Sequence, residues 1–170
     1  MLILGLDPGS LHTGYGLIEK RGSALVAVEA GRFSCPPGLA LPSRLAHLVA
    51  RLSELLARAR PELVVLESPF HGLNSRSLIV LAQARGALLA TVAGAGFEVR
   101  EYSPAEVKMA VTGSGRAGKD QVARMVRMLL AIGERDRLAS DATDALAVAI
   151  CGASRLRLDG IAASPSQSNN

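Results

Sequence analysis

Four carboxylates stand at positions where a folded chain gains little by having them. Asp141 and Asp144 fall in "SDATDALAVAI" (140–150), whose small and apolar residues predict a buried helix. Three residues apart, the two acids share a helix face. Like charges about 6 Å apart repel by roughly 3 kcal/mol at an effective dielectric near 20. Acids in a first helical turn complement the helix dipole, but only for about 0.3–1 kcal/mol each. Asp7 closes the apolar run "LILGLD" (2–7) ahead of the turn residues "DPGS", and Glu67 follows "LVVL" directly ahead of Ser68 and Pro69. Capping of the Pro8–Gly9 turn accounts for Asp7 taken alone. Glu67 is harder to place, because a lone buried carboxylate is costly. Should all four converge, only cations can offset the charge. Oxygen donors without His or Cys suit hard ions such as Mg²⁺ or Mn²⁺. Two such ions about 3.5–4 Å apart activate a water and stabilise the leaving oxygen in phosphodiester hydrolysis.

The elements that must position these acids are legible. "LILGLD" (2–7), "GYGLIEK" (14–20) and "ALVAVEAGRF" (24–33) predict three strands in an antiparallel meander. In strand one Ile3, Gly5 and Asp7 share a face, and Gly5 leaves space beside Asp7. Apolar positions 45, 48, 49, 52, 55, 56 and 59 predict an amphipathic helix between Pro42 and Pro61. "ELVVLE" (62–67) predicts a central strand, and a second helix follows Asn74 to about Ala93. "FEVREY" (97–102) predicts strand five, and "SPAE" (103–106) is a capping box with Pro at the first helical position. A Gly-rich loop (113–118), a basic helix (119–132) and the helix from about 140 follow. The order βββαβα predicts an α/β fold, a mixed five-stranded sheet with helices on both faces. Ligands of such sheets gather at carboxyl ends of strands, where Asp7 and Glu67 both fall. Residues 1–154 are expected to form one domain, and 155–170, ending in "SPSQSNN", a polar disordered tail.

Composition narrows the function classes. The 170 residues carry 19 basic and 15 acidic side chains, a net +4, with a pI near 9.6. That balance is compatible with nucleic acid. Cys35 and Cys151 form no CxxC, so neither a zinc site nor a disulfide framework is expected, and a reduced, cytoplasmic compartment fits. "MLILGLD" meets an acid at position 7 and lacks a basic leader, unlike a signal peptide. The longest uncharged stretch, between Arg85 and Glu98, has 12 residues. A membrane span needs about 20, so no membrane association is expected.

"LGLDPGSLHTGYGLI", "VVLESPFHGLNSRS", "QARGALLA", "GSGRAGKDQVARMV" and "SDATDALAVAI" resemble, in order, the signatures of RuvC-type Holliday-junction resolvases. The likeness runs from residue 1 to about 152. It implies a ribonuclease H-like fold, a homodimer, Mg²⁺ dependence with Mn²⁺ as a substitute, and paired symmetric nicks across a four-way DNA junction in recombination and repair. By the same resemblance Asp7, Glu67, Asp141 and Asp144 are the catalytic acids and the ligands of two metal ions, and a branch-migration helicase complex is a partner.

Basic and aromatic residues extend the reading. "GSGRAGKD" (113–120) matches G-x-x-x-x-G-K, but Asp120 stands where a P-loop needs Ser or Thr, and the preceding "EVKMAV" is helical in pattern. The loop still offers backbone N–H groups with Arg116 and Lys119, a phosphate grip. Lys108 and Lys119 match basic positions of the family near the scissile phosphate. Arg124 and Arg127 continue the same basic stretch, with a solvated helix face as the lesser alternative. Phe70 sits at the family's aromatic position, where a ring can stack on opened bases, and Arg76 is a candidate backbone contact. His71 is placed near the site, His47 in solvent, and His12 has no assigned role; Tyr15 and Tyr102 are read as packing residues. Gly86 interrupts an apolar helix and suggests close approach of a second subunit. Neutralising the four acids leaves 19 basic against 11 acidic groups, a balance of +8 facing DNA. Two rivals remain. An actin-like ATPase shares the first hairpin but needs two such domains, and a non-catalytic junction-binding scaffold has no reason to keep a self-repelling acid cluster.

Overall fold

The computed structural model describes residues 1–68, 75–133 and 136–162, without the side chains of 75 and 157–162. Three strands open the chain: β1 (Leu2–Asp7), β2 (His12–Arg21) and β3 (Ala24–Ser34). Then come α1 (Leu41–Ala59), β4 (Leu63–Glu67), α2 (Ser75–Gly94), β5 (Val99–Tyr102), α3 (Pro104–Thr112), α4 (Lys119–Leu129) and α5 (Ser140–Ala162). The five strands form one sheet in the order β3-β2-β1-β4-β5. β1, β2 and β3 run antiparallel as a meander, whereas β4 and β5 lie parallel to β1 and to each other. Parallel neighbours need a crossover, which α1 and α2 supply.

Side-chain alternation divides the core in two. Leu4, Leu6, Leu17, Val64 and Leu66 point to one face and bury Leu48, Leu52, Leu55 and Leu56 of α1 with Leu88 and Val92 of α2. Ile3, Ile18, Leu63 and Val65 point to the other face, under α3, α4 and the apolar body of α5. Helix α5 is buried nearly all round, from Ala142 through Ala153, which is why its sequence shows no amphipathic stripe. Tyr15 stacks on Phe33 with ring centroids 4.7 Å apart, and Tyr102 packs against the α5 layer, so both are packing residues.

Three differences from the sequence expectation have a visible cause. Helix α5 continues to Ala162, so the segment read as a tail from residue 155 begins as helix; Arg155 pairs with Glu106 of α3 at 3.2 Å, giving that turn a tertiary anchor. Strand β5 starts at Val99 instead of residue 97. Gly96 at φ +80° and the Phe97 amide donating to the Val92 carbonyl hold the preceding residues in the C-terminal cap of α2. Finally, α2 from Arg76 to Gly94 has a mean hydropathy of 1.5, enough by length and composition to cross a membrane, although no uncharged run suggested it. Arg85, near its middle, explains the difference: its guanidinium lies 2.7 Å from Glu101 of β5.

Candidate active site

Asp7 and Glu67 become neighbours through strand register. β1 and β4 pair in parallel with Leu6 opposite Leu66, so the next residue of each strand ends the sheet at the same edge. Helix α5 brings Asp141 and Asp144 to that edge because glycines clear its path. A Cβ at Gly5 would strike the Ala145 carbonyl and the Ala149 amide, one at Gly14 the Asp141 carbonyl, and one at Gly16 the Leu146 amide at 2.7 Å. Gly5 and Gly16 face each other across β1 and β2, and Gly14 faces Asp7. The space predicted beside Asp7 at Gly5 is therefore filled by helix backbone. Its purpose is to seat α5. The turn after Asp7 is held by Thr13, which accepts from the Gly9 amide at 3.4 Å and donates to its carbonyl at 3.0 Å, so Asp7 is not its cap.

The four carboxylates line a single cleft of about 420 Å³, together with Lys108, Lys119, Ser140 and the apolar Val107, Val122, Ala147 and Val148. Burial pushes the Asp7 carboxyl up to about 7, with Asp144, Glu67 and Asp141 adding to the rise and Lys119 opposing it. Glu67 is raised by burial and then by Asp144, and Asp144 by burial against the pull of Lys119. Three acids in one cleft are thus held toward their protonated forms when nothing else neutralises them. Lys119 of α4 reaches Asp144 at 3.7 Å, and Arg32 of β3 reaches Asp141 at 3.4 Å. Among the described residues no three His, Cys, Asp or Glu side chains stand close enough to form a ready cage for an ion. An all-oxygen donor set that burial leaves under-compensated fits hard divalent cations and no softer metal.

A family profile described as "Crossover junction endodeoxyribonuclease RuvC" matches residues 3–152. The chain belongs to the RuvC family. A crossover junction endodeoxyribonuclease RuvC of Anaeromyxobacter sp. (strain K) is 49% identical over 155 residues, covering 91% of this chain and 82% of the relative. The Thermus thermophilus RuvC structure superposes with a TM-score of 0.83 at 33% identity, covering 94% of this chain and 97% of that one. The Thermus protein in complex with Holliday junction substrate gives a TM-score of 0.87 at 34% identity, covering 94% and 96%. The fold is that of the ribonuclease H-like resolvases, and nucleases of the RuvC family are metal-dependent hydrolases.

The other basic residues that the resemblance singled out divide. Lys108 and Lys119 face the acids across the RuvC cleft, Lys108 half-buried and Lys119 on the first turn of α4. Arg116 is exposed in the Gly-rich loop outside that lining, and two loop amides, of Arg116 and Ala117, already bond to Ser114. The segment before the loop is helix α3, as expected, with Ser103 and Glu106 closing the capping box. Arg127 donates to the Gly133 and Asp136 carbonyls at 2.7 and 2.8 Å, which gives it a structural post. Arg76 is exposed on the first turn of α2. Phe70 and His71 lie outside the described residues. His12 bonds Ser34 at 3.1 Å across β2 and β3, and His47 keeps partial solvent exposure on α1.

Two residues near the site had escaped the sequence reading. Arg32 reaches Asp141, and the signal for it lay in hairpin register: Asp7, Gly14 and Arg32 form one row across β1, β2 and β3. Arg85 donates its Nε–H to the Glu67 carbonyl at 3.2 Å. Its Nη2 lies 2.7 Å from Glu101 but off the line of a hydrogen bond, so that contact is one of charge. An Arg inside the apolar "LAQARGALLA" was the available sign.

Proposed function

We propose that this chain resolves four-way DNA junctions by symmetric metal-dependent nicks, with Asp7, Glu67, Asp141 and Asp144 as its catalytic and cation-holding acids. The observation that carries the reading is their convergence, from β1, β4 and α5, in one cleft that also presents Lys108 and Lys119. Asp7 and Glu67 stand at strand ends, while Asp141, in the first turn of α5, and Asp144, one turn further on, come from the helix. Two Mg²⁺ ions, or Mn²⁺ in their place, held there would supply the activated water and the stabilised leaving oxygen. Lys108 and Lys119 place positive charge where phosphate oxygens enter. Val107, Val122, Ala147 and Val148 keep part of the wall dry, which strengthens every charge interaction inside. Arg76 and Arg116 extend the DNA track away from the cleft, and the family resemblance assigns Phe70 to stacking on opened bases.

A four-way junction is near two-fold symmetric, and two simultaneous nicks need two sites. We assign the second subunit to the outer face of α2. Ala84, Leu88 and Val92 bury one side of that helix, while Ile79, Ala82, Gly86, Ala90 and Ala93 are exposed on the other. A Cβ at Gly86 would meet nothing within 4 Å, so no described residue of this chain requires the glycine. Close approach of a second copy gives it a purpose. The free Cys35 and Cys151 suit a reducing cytoplasm, and a branch-migration helicase complex is the corresponding assembly partner.

The test is cutting of a labelled synthetic four-way junction beside linear duplex of the same sequence, with Mg²⁺ or EDTA. Symmetric, Mg²⁺-dependent cuts confined to the junction and lost in Asp7→Asn are expected. Tight junction binding without cuts in any divalent cation indicates a scaffold, and equal cutting of duplex removes the junction selectivity.

A further inference from the structure

Arg32 stands where a nuclease cleft gains from positive charge, yet it is engaged with one of the acids. It lies on β3, at the edge of the sheet, opposite Gly14 of β2, which in turn faces Asp7 of β1. Phe33 beside it is buried toward α1, so alternation sends Arg32 to the face that carries α5. Gly14 has no side chain to block the row, and the Asp141 backbone occupies that space. The guanidinium therefore reaches over Gly14 and donates from Nη1 to Asp141 Oδ2 at 3.4 Å. This contact is long and poorly screened from water: the Arg32 side chain is 42% exposed. A pair of that kind is worth about 0–1 kcal/mol, so a stronger partner on either side breaks it.

The two acids of α5 are flanked by cations arriving from different elements, Lys119 of α4 at Asp144 and Arg32 of β3 at Asp141. Lys119 stands on the α4 side of the cleft and Arg32 on the β3 side, so a DNA strand crossing the acids meets one cation on each side. The Arg fork also matches a phosphate bidentately, which an ammonium cannot do.

We propose that Arg32 is a DNA-binding residue whose ligand is a backbone phosphate of the cleaved strand on the β3 side of the scissile bond. Asp141 holds it in reserve until divalent cations take over that carboxylate. The inference rests on the resolvase reading and deepens it. Cation loading and strand capture are then coupled at one residue: the group that leaves Asp141 becomes the group that grips the substrate.

The experiment follows binding of a fluorescent four-way junction by anisotropy across a KCl series, in EDTA and in saturating Ca²⁺, for wild type, Arg32→Gln and Arg32→Lys. In Ca²⁺ the slope of log K against log salt should fall by about 0.9 in Arg32→Gln, one phosphate contact, and return in Arg32→Lys. In EDTA the slope should fall by less in Arg32→Gln than it does in Ca²⁺, because Asp141 there competes with the phosphate for Arg32. Asp141→Asn supplies the converse: it frees Arg32 without cations, so adding Arg32→Gln to it should lower the slope in EDTA by the full amount. Equal slopes for wild type and Arg32→Gln in Ca²⁺ overturn the proposal, and so does an equal loss in EDTA and Ca²⁺. Neither outcome touches the resolvase reading, which fails only if wild-type protein leaves the junction uncut in Mg²⁺. Melting of each variant in EDTA identifies one that is merely unfolded, and Arg32→Lys then decides.

Discussion

Replacing Asp7 by Asn separates what the carboxylate does for catalysis from what it costs the fold. Without cations the Asp7 carboxyl titrates at about 7 instead of 3.8, first because it is buried and then because Asp144, Glu67 and Asp141 surround it. Between those two values the folded protein keeps a proton that the unfolded chain has released. The contribution of that proton to stability therefore falls as pH rises through the window and is gone above about 7. A displacement of that size corresponds to about 4 kcal/mol at most, and relaxation and water in an open cleft leave roughly 2–4. Asn has the same shape and no charge. In EDTA at pH 8, Asp7→Asn should melt above wild type by about 4–16 °C, taking 2–4 °C per kcal/mol for a chain of this length. Near pH 4 the two should melt together. In Mg²⁺ the gap should narrow, because only the wild type gains full stabilisation from the bound cation. The assay is a melting series from pH 4 to pH 8 in both conditions. A variant that melts below wild type at pH 8 in EDTA, or a gap that stays constant with pH, refutes this account of the cleft.

Other perturbations read other parts of the design. Gly14→Ala sets a methyl against the Asp141 carbonyl; shifting α5 should cost about 1–3 kcal/mol in a melting experiment and reduce junction cutting beyond that loss. Gly86→Leu projects into open space within the chain, so the subunit should keep its fold while light scattering shows a dimer turned to monomer; an unchanged dimer removes α2 from the interface. Lys119→Gln should lower the salt slope of junction binding by about 1 and slow cutting, whereas Arg127→Gln, anchored to the Gly133 and Asp136 carbonyls, should reduce stability and leave that slope unchanged.

The acids were legible because each breaks a local rule: two like charges opening a core helix, and two strands ending in a carboxylate. The elements around them followed from period and capping, as at Ser103 and Glu106. What could not be read was the distance between elements. Gly5, Gly14 and Gly16 look alike in sequence, and only the docked helix shows that they admit α5 backbone. Arg32 and Arg85 were missed for a related reason. Each works across strands or between a helix and the sheet, at separations of 109 and 18 residues that no local pattern encodes. The extension of α5 past residue 154 escaped because its anchor is likewise distant, Glu106 holding Arg155 across 49 residues.

The central claim is that four carboxylates from β1, β4 and α5 exist to hold divalent cations against a phosphodiester. Anomalous diffraction from crystals soaked in Mn²⁺ tests it most directly. The account predicts two peaks about 3.5–4 Å apart among Asp7, Glu67, Asp141 and Asp144, both lost in Asp7→Asn. Peaks elsewhere, or none in the cleft at saturating Mn²⁺, would contradict it.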